Sequence, residues 1–404
     1  MSLRAVLLTE TIRPPLAGIG RYAWELAAGL GQAEGVDLKL LSWGRWQAMP
    51  ALREQVVRAQ RGQESGNTVP GPASLAQRTK RHLKGWLVSQ PSAAALYEAA
   101  RAQLNRQALR SLEKAQPTIV HGPDYFAPVS DQPTVVTIHD LSVLLFPETQ
   151  PITRVRRFEK LIDRAVRSGF TILTDAHSVA DELVQHTGVA LHRVNPIHLG
   201  VNGNFRPFEP SECAAVIGHY RLAPERYVLS VGTAEPRKNL VRLLDAYERL
   251  PAGVRHQFPL VLAGGKGWND DALLQRIERA KTAGWLRTLG YVPDAHLPAL
   301  YAGARLFAYV SLYEGFGLPV AEAMACGTPV LMSDCSSMPE VAAGAALLVN
   351  PLDVDAIATG LQRGLEDEPW RQGARSRGLS RAAELSWDNT VAATLAVYRK
   401  MLAA

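Results

Sequence analysis

Residues 312–330 read LYEGFGLPVAEAMACGTPV. The apolar run RLFAYVS before them (305–311) reads as a strand ending near Ser311. The chain then crosses a glycine loop, and Pro319 is suited to the first position of a helix. That helix runs through VAEAMAC and stops at Gly327, with Pro329 beyond it. Glu314 thus falls just before the loop and Glu322 about one turn into the helix. Gly315 and Gly317 allow close backbone approach to a ligand. Amides of the loop and first turn, together with the helix dipole, make an anion site. A carboxylate is a strong acceptor for hydroxyls. A nucleoside diphosphate-sugar asks for all three: phosphates at the helix end, sugar hydroxyls on one glutamate, ribose hydroxyls on the other.

The same alternation extends over the whole chain. RAVLLTE, VDLKLLSW, PTIVHGPD, TVVTIHD, FTILTDA and VNPIHLGV occupy the first half. YVLSVG, PLVLAGG, RTLGYV, RLFAYVS, PVLMSD and ALLVNP occupy the second. Most are continuously apolar, as strands buried on both faces of a parallel sheet are. Strand and helix in repeated alternation predict an α/β fold of two doubly wound, Rossmann-like parallel-sheet domains. Each has its ligand edge at the C-terminal ends of its strands. A Gly-, Asn- and Pro-rich stretch at 199–215 sets the boundary, giving domains 1–200 and 201–385. A last helix, 386–404, starts from a Ser386 N-cap.

A chain of 404 residues exceeds one ordinary core. Its 47% hydrophobic and 20% charged residues are those of a globular protein. No apolar run reaches about 18 residues, so no membrane span is expected. The N-terminus lacks a signal-peptide layout. Three cysteines (Cys213, Cys326, Cys335) form neither a disulfide framework nor a zinc site, and a cytoplasmic setting is expected. The net charge of +6 lies wholly in residues 1–200, with 23 Lys+Arg against 17 Asp+Glu. That asymmetry suggests an anionic partner for the first half. Within 78–88, Arg78, Lys80, Arg81 and Lys84 stand beside Leu83, Trp86, Leu87 and Val88, a pattern suited to an anionic membrane surface. Nucleic acid is disfavoured, since the charge comes with no recognition motif or interleaved aromatic platform. Asp353–Val354–Asp355 imitates a D-x-D metal motif but opens a helix, where aspartate is a normal cap. HSVADEL (177–183) lacks a zinc-ligand spacing and reads as a helix start.

EGFGLPVAEAMACGTPV resembles the E-x7-E signature of the retaining glycosyltransferases of family 4, which have the GT-B fold. SVGTAEPRKNL (230–240), LVLAGGKGW (260–268), LGYVPDAHLPALYAGA (289–304), VVTIHDLSVLLFPE (135–148) and RPPLAGIGRYAWEL (13–26) agree with it in order and spacing. The resemblance covers nearly all the chain except about residues 50–110. TIHDLS, FPE and GTAEPRKN look closest to bacterial mannosyl- and rhamnosyltransferases of surface-polysaccharide (O-antigen) assembly.

The resemblance implies a first domain for the acceptor, a second for the donor, the two facing across a cleft, and a final helix returning to the first. It implies that Glu314 binds donor-sugar hydroxyls, Glu322 the ribose, and Arg237 and Lys238 the diphosphate. Fixed cations there stabilise the charge that builds on the leaving group. Amides of Gly315, Phe316, Gly317 and Leu318 would reach sugar or phosphate, and Tyr291 and Val292 would border the base. Gly264 lines the same cleft or forms a tight turn. In the first half, Gly18 and Gly20 form a short loop near the diphosphate or acceptor. His139 would bond a sugar hydroxyl, with Asp140 capping the next helix or orienting it. His121, Asp124 and Tyr125 are acceptor candidates at a strand end. The implied reaction is retaining transfer of mannose or rhamnose from a GDP-sugar to a lipid-pyrophosphate-linked saccharide, without cofactor or metal, on the inner membrane face. UDP-sugar transfer, a GT-B epimerase and a non-catalytic nucleotide-sugar scaffold are the competing readings.

Overall fold

The computed structural model describes residues 2–403 except Pro15, Ala17, 65–90, 113–115, Lys266 and 268–270. The basic segment 78–88 lies outside the described residues. The chain divides into two compact units, residues 1–197 with 390–404 and residues 198–389.

The first unit holds β1 (Leu3–Leu8), β2 (Val36–Ser42), β3 (Arg45–Gln47), β4 (Thr118–Gly122), β5 (Thr134–Ile138), β6 (Thr171–Thr174) and β7 (Val194–Pro196). Their order is β3-β2-β1-β4-β5-β6-β7. All neighbours are parallel except β3, which pairs antiparallel with β2 through Leu41↔Trp46. Every residue of β4 and β5 is buried, which is why they read as unbroken apolar runs. Val6, Leu8, Val120, Val136, Ile138 and Ile172 form the centre of that core. β3, an exposed three-residue edge, is absent from the sequence reading.

The second unit holds β8 (Val228–Val231), β9 (Leu260–Ala263), β10 (Leu286–Gly290), β11 (Leu306–Tyr309), β12 (Val330–Ser333) and β13 (Leu347–Val349). The sheet is parallel throughout, in the order β10-β9-β8-β11-β12-β13. Each sheet reverses its winding once, between β1 and β4 and between β8 and β11. Ligands of such sheets bind outside the carboxyl ends of the strands at that reversal.

The last helix is Trp387–Ala403, and Asn389 N–H donates to Ser386 Oγ at 3.1 Å, so Ser386 caps it. Its residues from 390 pack in the first unit. A Cβ on Gly29 would lie 2.5 Å from Val391 Cγ2, and Tyr398 is fully buried with its hydroxyl 2.6 Å from His121 Nδ1. Among the described residues no helix is long and apolar enough to cross a membrane.

The carboxyl ends of β8, β9 and β10 are drawn together by Gly232 N–H to Ala263 O (2.9 Å) and Gly264 N–H to Gly290 O (2.7 Å). Gly264 has φ 146°, and a Cβ there would sit 2.0 Å from Gly232 O. Gly264→Ala is therefore expected to cost about 2–4 kcal/mol. The measurement is the urea midpoint of the second unit at unchanged slope; an unmoved midpoint would contradict the close approach.

Candidate active site

At the reversal of the second sheet, two strand ends meet in one ionic cluster. β8 runs into a single turn, Pro236–Lys238, closed by Asn239 in the left-handed region (φ 56°). The buried Asn239 amide donates to Val310 O (3.0 Å) and Pro351 O (2.7 Å), and Leu312 N–H donates to Arg237 O (2.8 Å). These bonds lock the turn onto the chain leaving β11. Arg237 Nη1 then donates to Glu314 Oε2, and Lys238 Nζ to Glu314 Oε1, both at 2.6 Å. Lys238 also reaches the Tyr309 hydroxyl at 2.6 Å. Glu235 stands 3.6 Å from Arg237.

Glu314 is only 7% exposed. Burial pushes its carboxyl up, but Lys238 and Arg237 together outweigh that and hold it at about 2. Lys238 is pushed below its ordinary value by burial, against the pull of Glu314 and with repulsion from Arg237. The two cations thus account for the direction at Glu314, and burial for that at Lys238. The Ser336 and Ser337 hydroxyls bond the Glu314 carbonyl and so fix the loop that carries the carboxylate.

The following loop turns at Gly317 (φ 101°) into the helix Leu318–Ala325. Leu318, rather than Pro319, is its first residue, and Gly327 (φ 73°) ends it. Phe316 is buried, and Gly315 lies beside it in the same loop. Glu322 is half-buried and accepts from the Tyr301 hydroxyl at 3.0 Å. A cavity of about 310 Å³ lies over the ends of β8, β9 and β10, lined among others by Lys238, Tyr309, Thr233, Gly264, Leu274 and Ile277. Val292 is buried and Tyr291 is 58% exposed, and neither lines this cavity.

In the first unit the predicted residues have varied places. Gly18 (φ 48°) precedes the helix Ile19–Leu30, and a Cβ on Gly20 would meet Thr11 O at 2.8 Å. His139 is buried, with Nδ1 2.8 Å from Asp175 Oδ2 and Nε2 2.9 Å from Pro123 O. Both ring nitrogens are committed inside the unit, so the expected free face toward a sugar is corrected. Its orienting carboxylate is Asp175 rather than Asp140. Burial lowers the His139 imidazole, yet Asp175 beside it wins and the net direction is upward. Asp140 instead caps the next turn through Ser142 N–H (3.0 Å).

His121 is likewise corrected as an acceptor candidate. It is fully buried, its Nε2 lies 2.8 Å from Thr137 Oγ1, and Tyr398 takes Nδ1. Burial holds it neutral, down at about 3, with a smaller push from His139. The Tyr125 hydroxyl donates to Asp140 O at 2.9 Å, and Asp124 pairs with Arg101 at 3.1 Å.

Comparison with known proteins follows the same division. The family described as Glycosyl transferases group 1 matches residues 221–381, and Glycosyltransferase Family 4 matches residues 16–205. O-antigen chain mannosyltransferase B of Escherichia coli is 38% identical over 397 residues, covering 98% of this chain and 100% of that protein. The chain belongs to the family 4 glycosyltransferases. Serotype-specific mannosyltransferase WbdA of Escherichia coli is 33% identical over 279 residues, covering 67% of this chain but 34% of that longer protein. Among solved structures, WaaG, a glycosyltransferase involved in lipopolysaccharide biosynthesis, superposes with a TM-score of 0.66 at 14% identity, over 97% of this chain and 99% of its own. Anabaena Alr3699/HepE, solved with UDP and glucose, gives 0.66 at 18% over the whole of both chains. These likenesses establish the GT-B fold.

In this glycosyltransferase the D-x-D imitation is structural. Asp353 accepts from Asp355 N–H (2.9 Å) and Ala356 N–H (3.0 Å), and the Asp355 carboxylate pairs with Arg249. HSVADEL opens the helix His177–Thr187, as its pattern predicts. Sequence reasoning missed Tyr309, Ser336 and Ser337 at the ionic cluster, and Glu10 and Arg101 beside Asp124. Strand-end position could have flagged Tyr309 and Glu10; nothing in the sequence points to the serines or to Arg101.

Glu314 ionises near 4.5 when unfolded and near 2 when folded. Its contribution is therefore complete above about pH 4.5 and disappears as pH falls toward 2. Glu314→Gln should remove that acid sensitivity and cost on the order of 3 kcal/mol near neutrality. Urea midpoints from pH 7 to pH 2 test this; an unchanged pH slope would mean that the pairing does not hold in solution.

Proposed function

We propose that this enzyme transfers mannose from GDP-mannose to a lipid-linked saccharide, with retention of anomeric configuration, during O-antigen synthesis. The observation that carries the reading is the Arg237–Lys238–Glu314 cluster at the switch point of a chain 38% identical, end to end, to a mannosyltransferase of that name.

The chemistry follows from the cluster. A departing nucleoside diphosphate gains negative charge, and Arg237 offers it a fork while Lys238 offers a point charge. Donor phosphates compete with Glu314 for these cations. As they take the cations over, the Glu314 oxygens become acceptors for sugar hydroxyls, so one carboxylate serves the empty and the loaded site. The bond from the anomeric carbon to the diphosphate oxygen breaks, and the acceptor hydroxyl attacks from the same face. Its proton passes to the departing phosphate. Two fixed cations and the helix starting at Leu318 supply the charge stabilisation that a metal supplies elsewhere, so no metal or cofactor is required. On this reading Glu322 would hold the ribose, and Tyr291 and Val292 would border the base. Excess basic charge in residues 1–200 supports a pyrophosphate-linked acceptor at the inner membrane surface.

Thermal unfolding with GDP, GDP-mannose, UDP and UDP-glucose tests the donor, since a ligand of the folded state raises stability by mass action. Guanosine ligands alone are expected to raise Tm. Arg237→Ala and Lys238→Ala each leave Glu314 one cation, so both should fold. Each should lose most of that shift and lower kcat by about 10²-fold. A shift from uridine ligands alone would overturn the GDP assignment and favour a UDP-sugar.

A further inference from the structure

Arg237 and Lys238 are each held in two ways. Both meet Glu314, which must release them when donor phosphates take them over. Each also has a neutral oxygen at 2.6 Å. Arg237 Nη1 donates to the Tyr313 carbonyl, and Lys238 Nζ donates to the Tyr309 hydroxyl. The first of these is backbone, which any residue would supply. The second belongs to one side chain.

Tyr309 is built to stay in place. It is the last residue of β11, which pairs with β8 on one side and β12 on the other. It is 3% exposed, and its ring stacks on Phe307 with centroids 5.6 Å apart. Lysine carries its charge on a flexible four-carbon stem, so an ammonium has no fixed position of its own. The Lys238 ammonium lies 4.9 Å from the Tyr309 ring centroid as well as on its hydroxyl, and both residues line the cavity over the ends of β8, β9 and β10. Burial and the neighbouring Glu314 push the phenol well above its ordinary value, so it stays neutral.

The two partners of Lys238 therefore differ in their effect on an incoming anion. Glu314 neutralises the ammonium and competes with a phosphate for it. A hydroxyl accepts one of the three N–H groups and leaves the positive charge for the phosphate.

We propose that Tyr309 is a positioning residue, whose hydroxyl keeps the Lys238 ammonium on the cavity wall while that cation passes from Glu314 to a nucleoside diphosphate. The inference rests on the reading of the cluster as a diphosphate site, but not on the base or the sugar.

Glu314, Arg237 and Glu235 are the charged groups that act on Lys238. Glu278, on the helix Asp271–Thr282, reaches the same cavity but is exposed and bonded to Lys281 at 2.8 Å. Burial already pushes the Lys238 ammonium below its ordinary value. An acceptor for the charged form pulls the other way, so loss of the Tyr309 hydroxyl lowers it further. Binding that needs the ammonium is complete below that value and is lost as pH rises through it, which happens at lower pH without the hydroxyl.

Tyr309→Phe removes the hydroxyl and keeps the ring. Glu314 still pairs both cations, so the variant should fold, and its Tm without ligand checks this. Isothermal titration of the full chain with GDP, and with UDP in parallel, from pH 7 to pH 10 reads the effect. The GDP dissociation constant is expected to rise about tenfold at pH 7, as for the loss of one hydrogen bond to a charged group. Binding should also fall away at lower pH than in the wild type. In a Lys238→Ala background the same substitution should change it less than about twofold, because the hydroxyl acts through Lys238. Wild-type affinity, an unmoved pH dependence, or an equal loss in the Lys238→Ala background would each overturn the inference and leave the diphosphate site standing. If the wild type binds UDP and not GDP, UDP carries the same comparison and the donor assignment falls alone. If neither diphosphate binds the wild type, the diphosphate reading and the inference fall together.

Discussion

The second unit is organised around a single carboxylate shared by two cations. Glu314 can be buried only because Arg237 and Lys238 meet one oxygen each at 2.6 Å. Those cations can be buried only because the turn that carries them is stitched to the chain leaving β11 by the Asn239 amide. Removing Glu314 leaves two buried cations without their shared partner, which costs more than an intact pair contributes, whereas removing either cation leaves Glu314 the other. The arrangement is therefore better understood as a device for keeping charge poised than as a source of stability. Water would screen the same three groups on an open surface and blunt their attraction for a diphosphate.

Backbone geometry serves that device. Neighbouring strand ends approach so closely that Gly264 has no room for a Cβ beside Gly232 O. A side chain there would wedge β8 from β9 and shift the turn bearing Arg237 and Lys238. Gly264, expected to line the cleft or form a tight turn, thus has a structural reason to be glycine, whether or not a ligand comes near.

Legibility in the sequence followed burial. β4, β5, β11 and β12 could be read because parallel strands covered on both faces must be apolar along their length, whereas β10, largely exposed, departs from that rule. β3 could not, because Arg45–Gln47 is exposed and its pairing depends on β2 alone. Arg237, Lys238 and Glu314 were legible because strand-end position and charge type coincide. The histidines were misread for a different reason. A strand end fixes where a ring starts but not which way it turns. His139 turns toward Asp175, which is 36 residues further on, and His121 toward Tyr398, which is 277 residues further on. No local pattern carries such pairings. Arg101 was invisible on the same ground, since only tertiary packing brings its helix against the ends of β1 and β4.

The two ionic clusters have opposite stoichiometry. In the second unit two cations hold one carboxylate at hydrogen-bonding distance, leaving attraction for an anion. In the first unit one buried arginine, Arg101, is ringed by Glu10, Glu98 and Asp124. The net charge points the other way, since the whole basic excess lies in residues 1–200. The conflict resolves by depth. Basic side chains such as Arg154, Arg156, Lys160 and Arg167 are exposed along the helix Ile152–Arg167, while the carboxylates are drawn inward. A long-range field and a short-range cluster of different character can coexist in one unit because screening separates them within about 8–10 Å.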